Sequence, residues 1–278
     1  MSTKSYIKNA AKYIVSGHRP QNISIATMHK TPDEAYADKV VLVTGGGKGI
    51  GRAIAEKIAQ EGGTVLIVGR KKEELEKAVN DSSIKDYYVC DITKIDAAKK
   101  LIERVYEKYG KIDVLVNNAG VSLHEKDFCD VTEESFDLQV DTNLKGSYFF
   151  TQAIIKQYIA HKQKEMSVIF ISSERGSFCD DTPYGLTKIA INSLTKGLSR
   201  RYYKDGIRVN AVAPGVTATD LTGIKENDNM SAPDKASGRY FLADEVAEVV
   251  AFVASDYAKC LSGEVINCDA GNHISSYF

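Results

Sequence analysis

The sequence predicts an α/β fold: one doubly wound parallel sheet in a single Rossmann domain, with helices on both faces. Three observations carry this expectation. Short β-branched runs alternate with longer segments of helical period, a glycine-rich turn follows the first such run, and a chain of 278 residues that is 43% hydrophobic is large enough for one sizeable core.

Residues 1–38 come first and read as an extension. Their one periodic stretch, 5–15, sets Tyr6, Ile7, Ala10, Ala11, Ile14 and Val15 on one side and Lys4, Lys8 and Lys12 on another. That pattern fits a helix packed on the domain or on a neighbouring subunit, with a membrane-surface anchor as the alternative. The domain itself is expected over 39–278. Residues 40–44, Val-Val-Leu-Val-Thr, form an apolar run that ends at glycines, as a strand buried on both faces should. A helix starts at those glycines. Residues 64–68, 87–90, 114–116, 168–171 and 207–212 repeat the strand pattern, and helical runs separate them. Ile95, Ala98, Leu101, Ile102, Val105, Tyr106 and Tyr109 mark one apolar helix face between the third and fourth strands. Residues 244–254 read as the final helix and 263–269 as the final strand, and the alternation implies right-handed crossovers.

Bulk properties narrow the function. A net charge of −1 from 36 basic and 37 acidic residues gives no electrostatic reason to expect nucleic acid. The five cysteines include no Cys-x-x-Cys pair, which points to free thiols in a reducing, cytoplasmic setting. No segment approaches the ~18 consecutive apolar residues of a membrane span. The five histidines are scattered without ligand-like spacing, so no metal site is expected.

The turn Thr44-Gly45-Gly46-Gly47-Lys48-Gly49-Ile50-Gly51 carries the first chemical signal. Gly45, Gly49 and Gly51 are spaced for a tight bend that brings backbone N–H groups, and the positive end of the following helix, against a dinucleotide pyrophosphate. The second strand ends at Gly69-Arg70, where an acid would hydrogen-bond the ribose hydroxyls of NAD. Arg70 can instead pair with a 2′-phosphate, and Lys48 can add a second positive charge, so the cofactor is expected to be NADP(H). The second signal is Tyr184-x-x-x-Lys188. A phenol with a pKa near 10 is a reasonable proton donor to a nascent alkoxide, and a lysine one helical turn on can lower that pKa by stabilising the phenolate.

Together with Asp91, Asn117-Asn118-Ala119-Gly120, Asn143, Ile171-Ser172-Ser173 and Asn210-Ala211-Val212-Ala213-Pro214-Gly215, these motifs make the chain resemble the short-chain dehydrogenase/reductase family. The resemblance is to its shorter, Rossmann-only type and covers roughly residues 38–272. It implies hydride transfer between a nicotinamide and a carbonyl or secondary alcohol. Tyr184, Lys188, Ser173 and Asn143 would be catalytic, with Ser173 donating to the carbonyl oxygen and Asn143 holding a water chain that reprotonates the site through Lys188. The implied cofactor contacts are Gly45, Gly47, Lys48, Gly49, Ile50, Gly51, Arg70, Asp91, Ile92, Asn118, Ala119, Gly120, Tyr184, Lys188, Pro214, Gly215, Val216, Thr217 and Thr219. Among these, Asp91 would touch the adenine, and Val216 and Thr219 would flank the carboxamide. Asn117 would steady the sheet and the cofactor. A homodimer or homotetramer is implied through the last helix and strand.

Two departures from the family stand out. Ser173 lies 11 residues before Tyr184, closer than in many members, so a shortened loop is expected, with Ser172 as the alternative serine. Residues 1–35 lie outside the resemblance. The substrate pocket would draw on 121–130, 174–183 and 221–240, which contain His124, Glu174, Asp180 and Asp181 beside Phe128 and Phe178. These groups favour a sugar or polyol derivative if they face the pocket and say nothing if they face solvent; a 3-oxoacyl thioester is the competing substrate. A subunit that only binds NADP(H) would have no need of a proton donor and its activator. A sugar-nucleotide epimerase of the longer type would need a sizeable domain after the sheet, and only about 60 residues follow Gly215.

Overall fold

In a computed structural model, which describes residues 34–225 and 228–274, seven parallel strands run from Val40 to Cys268. They are β1 (Val40–Thr44), β2 (Thr64–Gly69), β3 (Asp86–Val89), β4 (Val114–Asn117), β5 (Met166–Ile171), β6 (Ile207–Pro214) and β7 (Val265–Cys268). Their order across the sheet is β3-β2-β1-β4-β5-β6-β7. The order in which strands are added therefore reverses between β1 and β4, and the crevice beyond the carboxyl ends of these two strands is the natural ligand position in such sheets. The helix expected over 5–15 lies outside the described residues.

The connecting helices are α1 (Gly49–Gln60), α2 (Lys72–Asn80), α3 (Ile95–Tyr109), α4 (Glu133–Gln139), α5 (Ser147–Ala160), α6 (Pro183–Tyr202) and α7 (Ala243–Ala254). Alternation along each strand divides the core in two. Val41 and Val43 of β1 belong to a cluster with Ile54 and Ile58 of α1 and Val246 and Val250 of α7. Leu42 turns to the other face, in a cluster with Leu101 and Ile102 of α3, Phe150 and Ile154 of α5 and Ile191 of α6. Every residue of β1 is buried, which is why its sequence is a continuous apolar run and not an alternating one.

Three differences from the sequence expectation have physical causes. Ala35 and Tyr36 are 4% and 1% exposed and pack in the first cluster, with the Tyr36 hydroxyl donating to Ala251 O. The domain thus begins a few residues before the boundary set at 38/39. Met166 and Ser167 extend β5, in register with Ile207 and Arg208; a polar serine inside the run hides this from a pattern reading. Between α4 and α5 the backbone winds into a wide π-helical stretch, Val140–Gly146, whose buried Thr142 and Asn143 interrupt any apolar period. Gly146 relieves crowding there, since an added Cβ would stand 3.0 Å from Ile92 Cγ1 and 3.1 Å from Asp141 O.

Candidate active site

Beyond β1 the chain turns through Gly45 and Gly49, whose φ values of +65° and +54° lie in the left-handed region that glycine adopts without strain. A cross-brace from β4 fixes the turn. Thr44 Oγ1 accepts from the amides of Asn118 (3.0 Å) and Ala119 (3.1 Å), while Asn118 Nδ2 donates to Thr44 O and Gly45 O, both at 3.1 Å. Gly51 lies behind the turn, where a Cβ would collide with Gly45 O and Asn118 Nδ2. Asn117 is 3% exposed and donates to Thr151 Oγ1 at 2.9 Å, tying β4 to α5.

A groove of about 700 Å³ follows from this turn, lined by Gly45, Gly47, Lys48, Gly49, Ile50, Arg70, Asp91, Ile92, Asn118, Ala119, Gly120 and Thr219. Its residues fit a nicotinamide dinucleotide. Helix α1 opens on the groove with no side chain capping its N-terminus and no acid in its first turn, so its first amides and the positive end of its dipole are left for a phosphate. Thr142 adds to the wall, and its buried hydroxyl has no hydrogen-bond partner among the described residues. Arg70 is exposed at the end of β2 and forms no ion pair among the described residues. Lys48, expected as a free second cation, instead pairs with Asp220 at 2.9 Å and lies 3.9 Å from Glu74. Asp91 Oδ1 accepts from the Thr93 amide (3.0 Å) and hydroxyl (2.9 Å), which orients the carboxylate at the groove edge.

The groove continues into a second cavity of about 590 Å³ through shared walls at Ile50, Asn118, Gly120 and Thr219. Ser173, Tyr184, Lys188, Pro214, Gly215, Val216 and Thr217 line it. Helix α6 carries Tyr184 and Lys188, and it starts sharply because Pro183 occupies its first turn and the Thr182 hydroxyl caps the Gly185 amide at 3.2 Å. Lys188 is 6% exposed; its Nζ donates to Ile171 O at 2.8 Å and sits 5.4 Å from the centre of the Tyr184 ring. Burial pulls its pKa from 10.5 down to about 8. Burial also pushes the Tyr184 phenol above 10, against opposing pulls from a hydrogen bond with Ser173 and from Arg175. The expected lowering of Tyr184 by Lys188 is therefore not the dominant effect: desolvation acts against both charges, and the ammonium is directed to a carbonyl.

The two candidate serines are differently employed. Ser172 Oγ donates to Asn192 Oδ1 at 2.6 Å, whereas Ser173, whose Oγ accepts from the Arg175 amide at 3.2 Å, lines the cavity with Tyr184 and is the serine that pulls the phenol pKa down. Gly176 leaves space for this arrangement, since a Cβ there would stand 2.7 Å from Asn192 Nδ2 and 3.0 Å from Ser172 Oγ. Asn143, on the π-helical stretch, uses its side chain elsewhere than on Lys188. Its Oδ1 accepts from the Val121 amide at 2.8 Å, and its Nδ2 donates to Val121 O at 2.9 Å and to Thr187 Oγ1 at 3.2 Å. It clamps the loop after β4 to the residue preceding Lys188.

Of the pocket residues expected from the loops, His124 and Glu174 line the cavity, joined by Asp234, Lys235 and Tyr240. Phe128, Phe178, Asp180 and Asp181 do not. Phe128 is 70% exposed, and Asp180 is held in an ion pair with Arg175 that pins the short loop ahead of α6. Asp220, Asn192, Thr187 and Asn272 carry no signal in the sequence. Each acts through a partner distant in the chain, and no local spacing announces that.

A family model described as enoyl-(acyl carrier protein) reductase matches residues 45–273. The 3-oxoacyl-[acyl-carrier-protein] reductase FabG of Thermotoga maritima is 36% identical over 241 residues, covering 84% of this chain and 97% of the relative. Among solved structures, the 3-ketoacyl-(acyl-carrier-protein) reductase of Brucella melitensis, complexed with NADH, superposes with a TM-score of 0.79 at 30% identity, covering 86% of this chain and 99% of that one. A single-substitution variant of the actinorhodin polyketide ketoreductase, with NADPH, gives the same TM-score at 27% identity over 86% and 100% of the two chains.

Proposed function

The chain belongs to the short-chain dehydrogenase/reductase family, and from that premise we propose that this oxidoreductase uses NADP(H) to interconvert a carbonyl compound and its secondary alcohol, with Tyr184 as proton donor and acceptor. The observation that carries this reading is the placing of Tyr184, Ser173 and Lys188 on one cavity that merges with the glycine-lined groove. The nicotinamide, when bound, supplies or accepts the hydride. The protein handles the oxygen. Ser173 holds the carbonyl oxygen by a hydrogen bond and offsets its developing charge. Tyr184, kept protonated at neutral pH by burial, passes its proton to that oxygen. Lys188, close enough to the ring to favour the phenolate left behind, steadies that charge while it remains protonated. Asn143 keeps Val121 and Thr187 in place around them.

The choice of NADP(H) rests on Arg70 and on the glycine at position 69, where NAD-selective relatives of this fold need an acid. One similar solved structure is complexed with NADH and another with NADPH, so residues of this chain carry the argument. Assembly as a homodimer or homotetramer is part of the same proposal, supported by Phe252, which stays 51% exposed on α7. A cytoplasmic location is supported by the free state of all five cysteines. No helix among the described residues is long and apolar enough to cross a membrane.

The test is reduction of a panel of ketones and 3-oxoacyl thioesters with NADPH by the protein and by Tyr184→Phe. Turnover should fall by well over tenfold, while NADPH affinity stays within about threefold. A variant that keeps more than roughly a tenth of the rate, less than ~1.4 kcal/mol in barrier, overturns the assignment.

A further inference from the structure

Glu174 is the residue after Ser173, and its side chain forms part of the reaction cavity while being only 7% exposed. A carboxylate in such a place is costly unless it is paired. Here it is not. Arg175, the adjacent cation, is committed to Asp180 and Thr182, and Lys235 lies 3.2 Å from Asp234. One hydrogen bond reaches Glu174, from Asn272 Nδ2 to Oε2 at 2.9 Å. Among the described residues no donor reaches Oε1. Asn272 is fixed from its other end, because its Oδ1 accepts from the Ala236 amide at 3.2 Å, so the carboxyl group is held against the cavity wall with one oxygen to spare.

We propose that Glu174 selects the substrate, and that the cavity takes a polyhydroxylated carbonyl compound, a ketose or the matching polyol, whose hydroxyl group donates to Glu174 Oε1. The inference rests on the carbonyl–alcohol reaction proposed above and adds the substrate class. An acyl chain laid on this wall would desolvate the carboxyl group without giving it a donor. A cationic substrate would meet Lys188 and Lys235 in the same cavity. A neutral hydroxyl meets neither objection. Burial pushes the Glu174 pKa up, opposed by the Asn272 hydrogen bond and by Lys235, and in either protonation state Oε1 has hydrogen-bonding capacity that a hydroxyl can use.

The experiment compares kcat/KM, with NADPH, for ketoses from dihydroxyacetone to fructose against the 2-ketone of the same carbon skeleton, with acetoacetyl-coenzyme A as a thioester arm. The full-length protein, Glu174→Gln and Glu174→Leu are measured. The protein should favour its best ketose over the matching 2-ketone by about tenfold or more, the scale of one charge-assisted hydrogen bond. Both substitutions should shrink that ratio, chiefly through KM, and Glu174→Leu should bring it near one. Thermal stability of Glu174→Gln should be unchanged or higher, since the variant removes a buried charge and keeps the side-chain shape. A ratio near one in the unaltered protein, preference for the thioester, or a ratio that survives both substitutions overturns the proposal and leaves the carbonyl reaction standing. Loss of ketose turnover in Glu174→Gln together with a fall in melting temperature would make Glu174 a structural residue and also overturns it. If the unaltered protein consumes none of the ketoses, 2-ketones or the thioester, the carbonyl reading itself fails, and this inference falls with it.

Discussion

Replacing Lys188 with Met removes a buried ammonium group whose presence should be visible in stability as a function of pH. In the unfolded chain the lysine titrates near its ordinary 10.5, and in the folded protein near 8. Below pH 8 both states carry the proton and the folded state bears the full cost of burying it. Between pH 8 and 10.5 the unfolded chain holds the proton and the folded protein does not, so stability rises with pH across that window. The whole difference amounts to about 3 kcal/mol at roughly 1.4 kcal/mol per pKa unit, and about 2 kcal/mol of it should be recovered between pH 7 and pH 9.5. Urea unfolding of both proteins without cofactor, at one fixed protein concentration, measures this, since other titrating groups largely cancel in the comparison. The stability of the unaltered protein relative to Lys188→Met should therefore climb by about 2 kcal/mol from pH 7 to pH 9.5. A difference that stays constant within ~0.5 kcal/mol would mean that Lys188 titrates near its ordinary value, and the account of a desolvated lysine beside Tyr184 would be wrong.

Two further outcomes follow from the groove. Combining Gly69→Asp with Arg70→Ala should invert cofactor preference from NADPH to NADH by about tenfold or more in fluorescence titrations, because it adds a repulsion and removes an attraction at the 2′-phosphate; the new Cβ meets only the flexible tip of Leu75, at 3.1 Å. Equal affinity of the unaltered protein for both cofactors would refute the assignment at once. Gly51→Ala should lower the melting temperature, in line with the ~1–3 kcal/mol typical of overpacking, and weaken NADPH binding, since the methyl group strikes Gly45 O and Asn118 Nδ2; unchanged values for both would show that the turn yields more easily than its hydrogen bonds suggest.

What is legible in the sequence is local. The β-branched run 40–44, the glycines that follow it, and the one-turn spacing of Tyr184 and Lys188 each express their chemistry within a few residues. What is not legible depends on pairs brought together by folding. Lys48 meets Asp220 across 172 positions, Glu174 meets Asn272 across 98, and Ser172 meets Asn192 from the opposite side of a loop. The sign of the Tyr184 shift is hidden for a related reason. Spacing shows that a lysine is near, but not that both groups lose their water. Ala35 and Tyr36 read as part of the extension because two apolar residues beside Glu34 make no period, although both are buried in the cluster that α1 and α7 share.

The π-helical stretch at Val140–Gly146 makes residues 133–160 one rod with a change of phase inside it. A turn closed by i→i+5 bonds holds one residue more than an α-turn, and each residue advances a helix by about 100°. Upstream of that offset, and within it, the rod points Gln139 and Asn143 at the loop after β4. Downstream it points Phe150 and Ile154 into the core. Were the same residues wound as an unbroken α-helix, with no wide turn to absorb the extra one, its two halves would be rotated against each other by about 100°. Either Asn143 would swing away from Val121 and Thr187, or Phe150 would leave the sheet. The wide turn at Val140–Gly146 is therefore what lets one continuous rod keep both sets of contacts, the polar clamp at its start and the apolar face beyond it.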